Sequence, residues 1–207
     1  GNNLMPVTIN GDGSITGLAV GGLPDGSVDA DTLAANAVTA AKLSSTAISA
    51  AKLPAGSVVQ VKTTESSTSV GNSGSNDPYA SGLITTLTPH RASSKFFVTA
   101  CGMSFHNNAG SSNQGTKFWL YASINGGSYS NVTSSHVQSC QRSGGSWTDF
   151  PGILTFTATV SYSLGQTVAF QIYYGRGANA SASSYFHHTG GSGNGAVYQQ
   201  TVMEIAA

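Results

Sequence analysis

Four carboxylates stand between residues 57 and 207: Glu65, Asp77, Asp149 and Glu204. Hydrolysis of a glycosidic bond needs two, one of them held protonated as the acid, and no two of these are neighbours in sequence. Asp77 before Pro78 and Asp149 in SWTDF have the settings of turn residues. Glu204 lies in the closing run TVMEIAA, where contact with another subunit is expected. Phosphate loops ending in Lys-Ser/Thr, G-x-S-x-G elbows and H-E-x-x-H pairs do not occur in the sequence. No catalytic residue, metal or cofactor is assigned, and a non-enzymatic role is expected. His187 and His188 are adjacent, and an oligomer axis could gather copies of one imidazole into a metal site. Neighbours in a strand point to opposite faces, so only one of the pair could reach such an axis. Polar surface or ligand contact is the reading taken for both, while His90, His106 and His136 read as loop or strand-end residues. Cys101 has the strand pattern of a buried small hydrophobe. Whether it is bridged to Cys140 stays open.

Non-covalent binding is the chemistry that remains. The segments 106–115 (HNNAGSSNQG), 141–150 (QRSGGSWTDF) and 176–195 (RGANASASSYFHHTGGSGNG) are long, polar and studded with isolated aromatics. Loops on a rigid β scaffold are where binding side chains usually sit. A carbohydrate would offer hydroxyls to Asn, His and Arg, and an apolar C–H face to an aromatic ring. His106, Asn108, Trp147, Arg176, Tyr185, Phe186, His187 and His188 are the candidates. The other reading of each aromatic is a plug at the end of a sandwich or a contact between subunits.

The elements that must position these loops read as strands. Apolar and β-branched runs fall at 57–63, 82–88, 94–105, 116–124, 134–140, 152–162, 166–175, 183–188 and 196–206, separated by Gly/Ser/Asn clusters. Asn125-Gly126-Gly127 is a hairpin turn. The expected fold is all-β, an antiparallel β-sandwich of jelly-roll type. Several strands are apolar on both faces: Phe118, Leu120 and Ile124 oppose Trp119 and Tyr121, Phe170, Ile172 and Tyr174 oppose Tyr173, and Phe97, Cys101, Met103 and Phe105 oppose Phe96 and Val98. A sandwich strand buries one face and wets the other. The second apolar face is therefore expected to meet a sister subunit.

Ahead of these strands the chain repeats itself. Leu23, Leu33, Leu43 and Leu53 recur every ten residues, with Val28, Val38, Ile48 and Val58 midway between them. A period of five fits neither helix nor strand. Asp29, Thr39 and Ser49 each follow an aliphatic residue and precede a Leu by four positions, the arrangement of an N-cap with its hydrophobic staple. Each copy is expected to form about one helical turn. Ordering such a copy costs roughly 1–2 kcal/mol per residue in backbone entropy, and its two aliphatic side chains return about 1.5–3 kcal/mol apiece. A lone copy cannot fold, whereas identical chains in parallel register would supply the missing partners. The repeat is read as an oligomeric shaft with Leu23, Val28, Leu33, Val38, Leu43, Ile48 and Leu53 as its pegs.

Composition sets the boundaries. All eighteen aromatic residues lie at or after Tyr79. Upstream, VTINGDGSITGL carries a hairpin signal at Asn10-Gly11-Asp12-Gly13. Three regions follow: 1–22, a linker with a short hairpin; 23–56, the decapeptide shaft; and 57–207, the β-sandwich knob. Net charge is zero and charged residues make up 8% of the 207, against about 25% in average soluble proteins. That balance argues against nucleic acid and anionic membranes as partners. No apolar run approaches the ~18 residues of a membrane span. The chain opens on Gly1 without a signal sequence, and further chain upstream is expected.

The opening TINGDGSITGL…GGLPDGSV, the V-x-A-x-K-L decapeptides and LPAGSVVQV resemble the distal parts of bacteriophage tail-fibre proteins. LTPHRASSKFFV at 87–98 and the closing TVMEIAA are similar to them as well. The likeness touches both ends of the chain; 106–195 matches only in its rhythm of strands and loops. It implies a parallel homotrimer with an intertwined shaft and a terminal knob similar to the tumour-necrosis-factor-like jelly roll. It further implies attachment to a bacterial surface glycan or protein, upstream tail components as partners, assembly in the host cytoplasm, and a place in the virion. A capsid-mounted fibre or decoration protein, and a depolymerase whose carboxylates come from different subunits, are the alternative readings.

Overall fold

Residues alternate in burial along most strands, which is what a sheet with one core-facing side requires. In a computed structural model of the chain, the described residues are 8–9, 11, 15–16, 26–29, 31–44, 47–68, 70–72, 78–108, 116–133, 137–138, 148–176, 183–187 and 197–207, for some strand residues by backbone alone. The chain divides into two compact units, Gly1–Ile48 and Ser49–Ala207.

The first unit holds a two-stranded hairpin, β1 (Thr8–Ile9) against β2 (Ile15–Thr16), around the Asn-Gly-Asp-Gly signal. It also holds most of the repeat. There, Ala40–Lys42 forms a single turn of 3-10 helix, and Ala50–Lys52 in the second unit forms the matching one. Thr39 and Ser49 occupy the cap positions with extended backbone, but neither side chain makes a cap hydrogen bond. The main chain closes these turns instead: Lys42 N donates to Thr39 O and Lys52 N to Ser49 O, both at 2.9 Å. A three-residue turn leaves only one or two amides to satisfy, and the carbonyl of the cap residue suffices. Only Asp29 caps as the spacing predicts, its Oδ1 accepting from Thr32 N (2.9 Å) and Thr32 Oγ1 (2.7 Å).

The second unit is an antiparallel β-sandwich. Its strands are β3 (Val58–Ser66), β4 (Val70–Asn72), β5 (Tyr79–Leu87), β6 (Ser94–Asn108), β7 (Thr116–Ile124), β8 (Ser130–Asn131), β9 (Val137–Gln138), β10 (Thr148–Ala158), β11 (Val168–Arg176), β12 (Ser183–His187) and β13 (Tyr198–Ala206). One sheet runs β3-β13-β6-β12-β4, with β10 also on β6; the other runs β5-β11-β7-β8, with β9 also on β7. The 15-residue β6 is long enough to pair β10 along one edge, and β13 and then β12 along the other.

Between the sheets lie Phe96, Val98, Phe156, Phe186, Tyr198 and Val202 from the first, and Leu83, Phe118, Leu120, Phe170, Ile172 and Tyr174 from the second, all buried. Phe96 meets Phe170 across the gap at 5.0 Å between centroids. Fully burying such a side chain stabilises by roughly 1.5–3 kcal/mol. The β7–β8 hairpin turns at Asn125 (φ 50°) and Gly126 (φ 75°), the left-handed pair that an Asn-Gly turn supplies.

The strands differ from expectation mainly at their ends. The run expected over 152–162 forms β10 four residues earlier and stops at Ala158. Pro151 hides the start, and β10 tolerates it because its far edge takes no partner among the described strands. The short β4 and β8 carry too few apolar residues to be seen in advance. In 134–140 the described part is Val137–Gln138 alone.

Candidate functional site

The repeat pegs come first, because their spacing is the most unusual feature of the chain. Leu23 lies outside the described residues. Val28, Leu33, Val38, Leu43 and Ile48 are all exposed, by 43–58%, and Leu53 is half-buried. Aliphatics exposed one at a time are ordinary on a protein surface; the regular five-residue spacing is what sets this series apart.

At the start of the second unit a polar clasp fixes the last repeat. Glu204, expected at a subunit contact, is instead fully buried within its own subunit. The β13 alternation turns its side chain inward beside Val202, and the carboxylate finds donors there. Its Oε2 accepts from Gln60 Nε2 (2.6 Å) and its Oε1 from Ser94 Oγ (2.7 Å). His90 N reaches both oxygens at 3.1 Å, and Arg91 N reaches Oε1 at 3.3 Å. These bonds hold the 90–91 backbone, whose carbonyl at Arg91 also accepts from Tyr162 Oη (2.9 Å). The Arg91 guanidinium then donates to Ala50 O (3.0 Å) and Leu53 O (2.8 Å), gripping the 3-10 turn. His90 is thus a loop residue, as expected, though its amide rather than its ring carries the structural role.

The loop candidates scatter. His106 and Asn108 end β6, and the register sets His106 opposite Tyr185 and Asn108 opposite Ser183 of β12, so three of the eight candidates share one corner of the first sheet. His187 sits opposite Val70. Arg176 ends β11 on the other sheet, opposite Thr116. Trp147 and His188 lie outside the described residues. Phe186 is corrected: it is completely buried, with its ring 5.4 Å from Tyr198, 5.7 Å from Tyr174 and 6.3 Å from Phe118. Adjacent aromatics on a strand must point apart, and Phe186 takes the core side. Cys101 is likewise only half-buried, with Sγ 3.9 Å from Gln199 Oε1, and is a free thiol. Phe96 and Val98 hold the core face of β6, which sends Cys101 outward with Phe97.

The outward faces of the two sheets differ in chemistry. On the first, cross-strand rows place Val61 beside Met203 beside Phe97, and Val58 beside Ile205. Lys95, Phe96, Phe97, Thr157, Met203 and Ile205 line an open groove of about 440 Å³. Val58, Val61 and Ile153 are exposed by 50%, 54% and 75%. On the second, Tyr121 and Tyr173 stack at 4.0 Å and 24°, and Tyr129 leans on Tyr173 at 6.3 Å. Burial pushes the phenols of Tyr129 and Tyr173 up, each further raised by the neighbouring tyrosine. Sequence reasoning gave Tyr121 and Tyr173 to a subunit contact and passed over Tyr129 and Gln171, the latter the register partner of Tyr121. The signal was a glutamine between two core residues, Phe170 and Ile172, legible only once the β7–β11 register is known.

No family model and no curated protein matches the chain. Among solved structures it is similar to a structure of infectious bursal disease virus, Gx strain, at 14% identity and a TM-score of 0.27, with 70% of this chain and 37% of that one covered. The chain spans little more than a third of that structure's chain. A likeness of this grade carries no argument, and the β-sandwich rests on the strand pairings themselves.

Proposed function

We propose that the protein is the distal tip of a bacteriophage tail fibre: a parallel homotrimer whose decapeptide shaft carries a β-sandwich knob that attaches the virion to a bacterial surface receptor, a glycan in the first place. The observation that carries the reading is the row of exposed pegs, Val28 to Ile48. Three chains in register would meet peg with peg at each level and convert that exposure into a continuous apolar core. The aliphatic outer face of the first sheet extends the same logic. Val58, a later member of the five-residue series, pairs with Ile205 on this face, so the knob offers sister chains an apolar surface of its own.

Attachment is supported by the resemblance of the repeat and of both chain ends to tail-fibre proteins, and by a nearly uncharged surface that suits a neutral receptor. The test is adsorption competition. Purified protein in excess is expected to block adsorption of the parent phage to its host in a saturable way. Unchanged adsorption at saturating protein would overturn the attachment reading.

A further inference from the structure

Resting on the attachment reading, we infer that the outward face of the five-stranded sheet is a subsite for a neutral glycan, built on Tyr121, Tyr129 and Tyr173 with Gln171 as its polar floor. Three observations place it. Phe170 and Ile172 are core residues, so Gln171 between them points outward, yet only 4% of its surface stays open. Its register partner is Tyr121, Tyr173 follows two residues on along the same face, and Ile84 flanks it from β5. Its carboxamide makes no hydrogen bond among the described residues. The amide is not one of the sealed, unpartnered groups among the described residues, so its tip reaches the surface with two donors and an acceptor to offer a ligand.

The chemistry of the face selects that partner. Among the described residues its strands turn outward two phenol rings, an indole and an amide, and Tyr129 adds a third phenol from the β7–β8 connection, with Lys117 as the lone charge. A dry contact with a sister copy would seal the Gln171 amide without hydrogen bonds, at a cost of about 1–3 kcal/mol. The aliphatic face of the other sheet suits that role better. A pyranose has what this face lacks: ring C–H groups to lie against an aromatic ring, and hydroxyls that both donate to and accept from the amide. An anionic sugar would gain from Lys117 alone, which a neutral one does not need. The stacked Tyr121–Tyr173 pair is already rigid, so little side-chain freedom is lost on binding.

Calorimetric titration of the intact protein with maltotriose, mannotriose and lactose, and with sialyllactose as the anionic comparator, tests the site. At least one neutral sugar is expected to bind with Kd on the order of 1 mM or tighter. Gln171→Met, which keeps the volume, and Tyr173→Phe, which keeps the ring, should each weaken it several-fold, and Tyr173→Ala at least ten-fold, at unchanged solution mass. The inference is overturned if no neutral sugar binds, if both conservative variants bind as the parent does, or if Gln171→Met lowers the solution mass, which would make the face a contact between copies. Sugar binding that depends on Gln171, in a protein that fails to block phage adsorption, would sink the attachment reading and leave the subsite standing. A Gln171→Met variant that still blocks adsorption would do the reverse.

Discussion

At the scale of single residues, Glu204 matters most to the second unit. Four donors converge on one buried carboxylate, and removing it strands Ser94 Oγ and the amides of His90 and Arg91, while Gln60 Nε2 keeps Thr88 O. Each unsatisfied buried donor costs about 1–3 kcal/mol, so Glu204→Ala should destabilise by roughly 3–5 kcal/mol, read as a lower denaturant midpoint. Arg91→Ala should cost less globally but should speed amide exchange at 50–57, because the guanidinium holds Ala50 O and Leu53 O. Unchanged exchange there would refute the clasp. Phenols supply the second residue-scale expectation. Burial raises Tyr129, Tyr162, Tyr173 and Tyr198 above the ordinary value of 10.0. Each therefore holds its proton more tightly in the native chain than in the unfolded one. Their contribution is complete below the unfolded value and is lost as pH rises through the folded ones. The midpoint should hold level up to pH 10.0 and fall beyond it, in step with phenolate absorbance from a late-titrating subset of the eight tyrosines. All eight ionising together at the ordinary value, with no loss of stability, would contradict the burial of these rings.

At the scale of elements, long strands were legible because apolar residues two apart declare themselves, and β7, with its alternation over 116–124, was found to the residue. What stayed hidden has physical causes. Both faces of β6 and β11 are apolar or aromatic, so alternation alone could not say which side is the core; the answer depends on the opposite sheet, where Phe96 meets Phe170, while Phe97 lies in the outward row with Met203. Phe186 was taken for a loop ligand for the same reason. One of two adjacent aromatics had to go inward, and only the neighbourhood of Tyr174 and Tyr198 decides which. The helical turns were foreseen at the right positions, but their caps were not, because a 3-10 turn of three residues is closed by a backbone carbonyl and leaves Thr39 and Ser49 without a task. Glu204 was misplaced because a carboxylate in an apolar strand suggests a surface. The donors that admit it to the interior come from residues 60, 90, 91 and 94, and nothing in the local sequence announces them.

At the scale of the molecule, the aliphatic series and the first sheet's outer face bear on one quantity, the number of chains in the particle. A 21.0 kDa monomer would leave Val28, Leu33, Val38, Leu43, Ile48, Val61 and Ile153 in water. Covering each of these side chains returns up to about 1.5–3 kcal/mol, a contribution that a lone chain forgoes and association of three chains supplies in every copy. Multi-angle light scattering should therefore give three times the monomer mass. The two surfaces can then be separated by substitution. Leu43→Ser with Ile48→Ser strikes only the repeat and should fray it, exposing 31–52 to protease while the knob still associates through Val61, Met203 and Phe97. Val61→Asp with Met203→Asp strikes only the knob face, putting two carboxylates where a sister sheet would lie, and should reduce the mass toward that of one chain. A parent protein that runs as a single chain with residues 31–52 resistant to protease would remove the ground for the shaft, since those residues would then be ordered with no partner for their pegs.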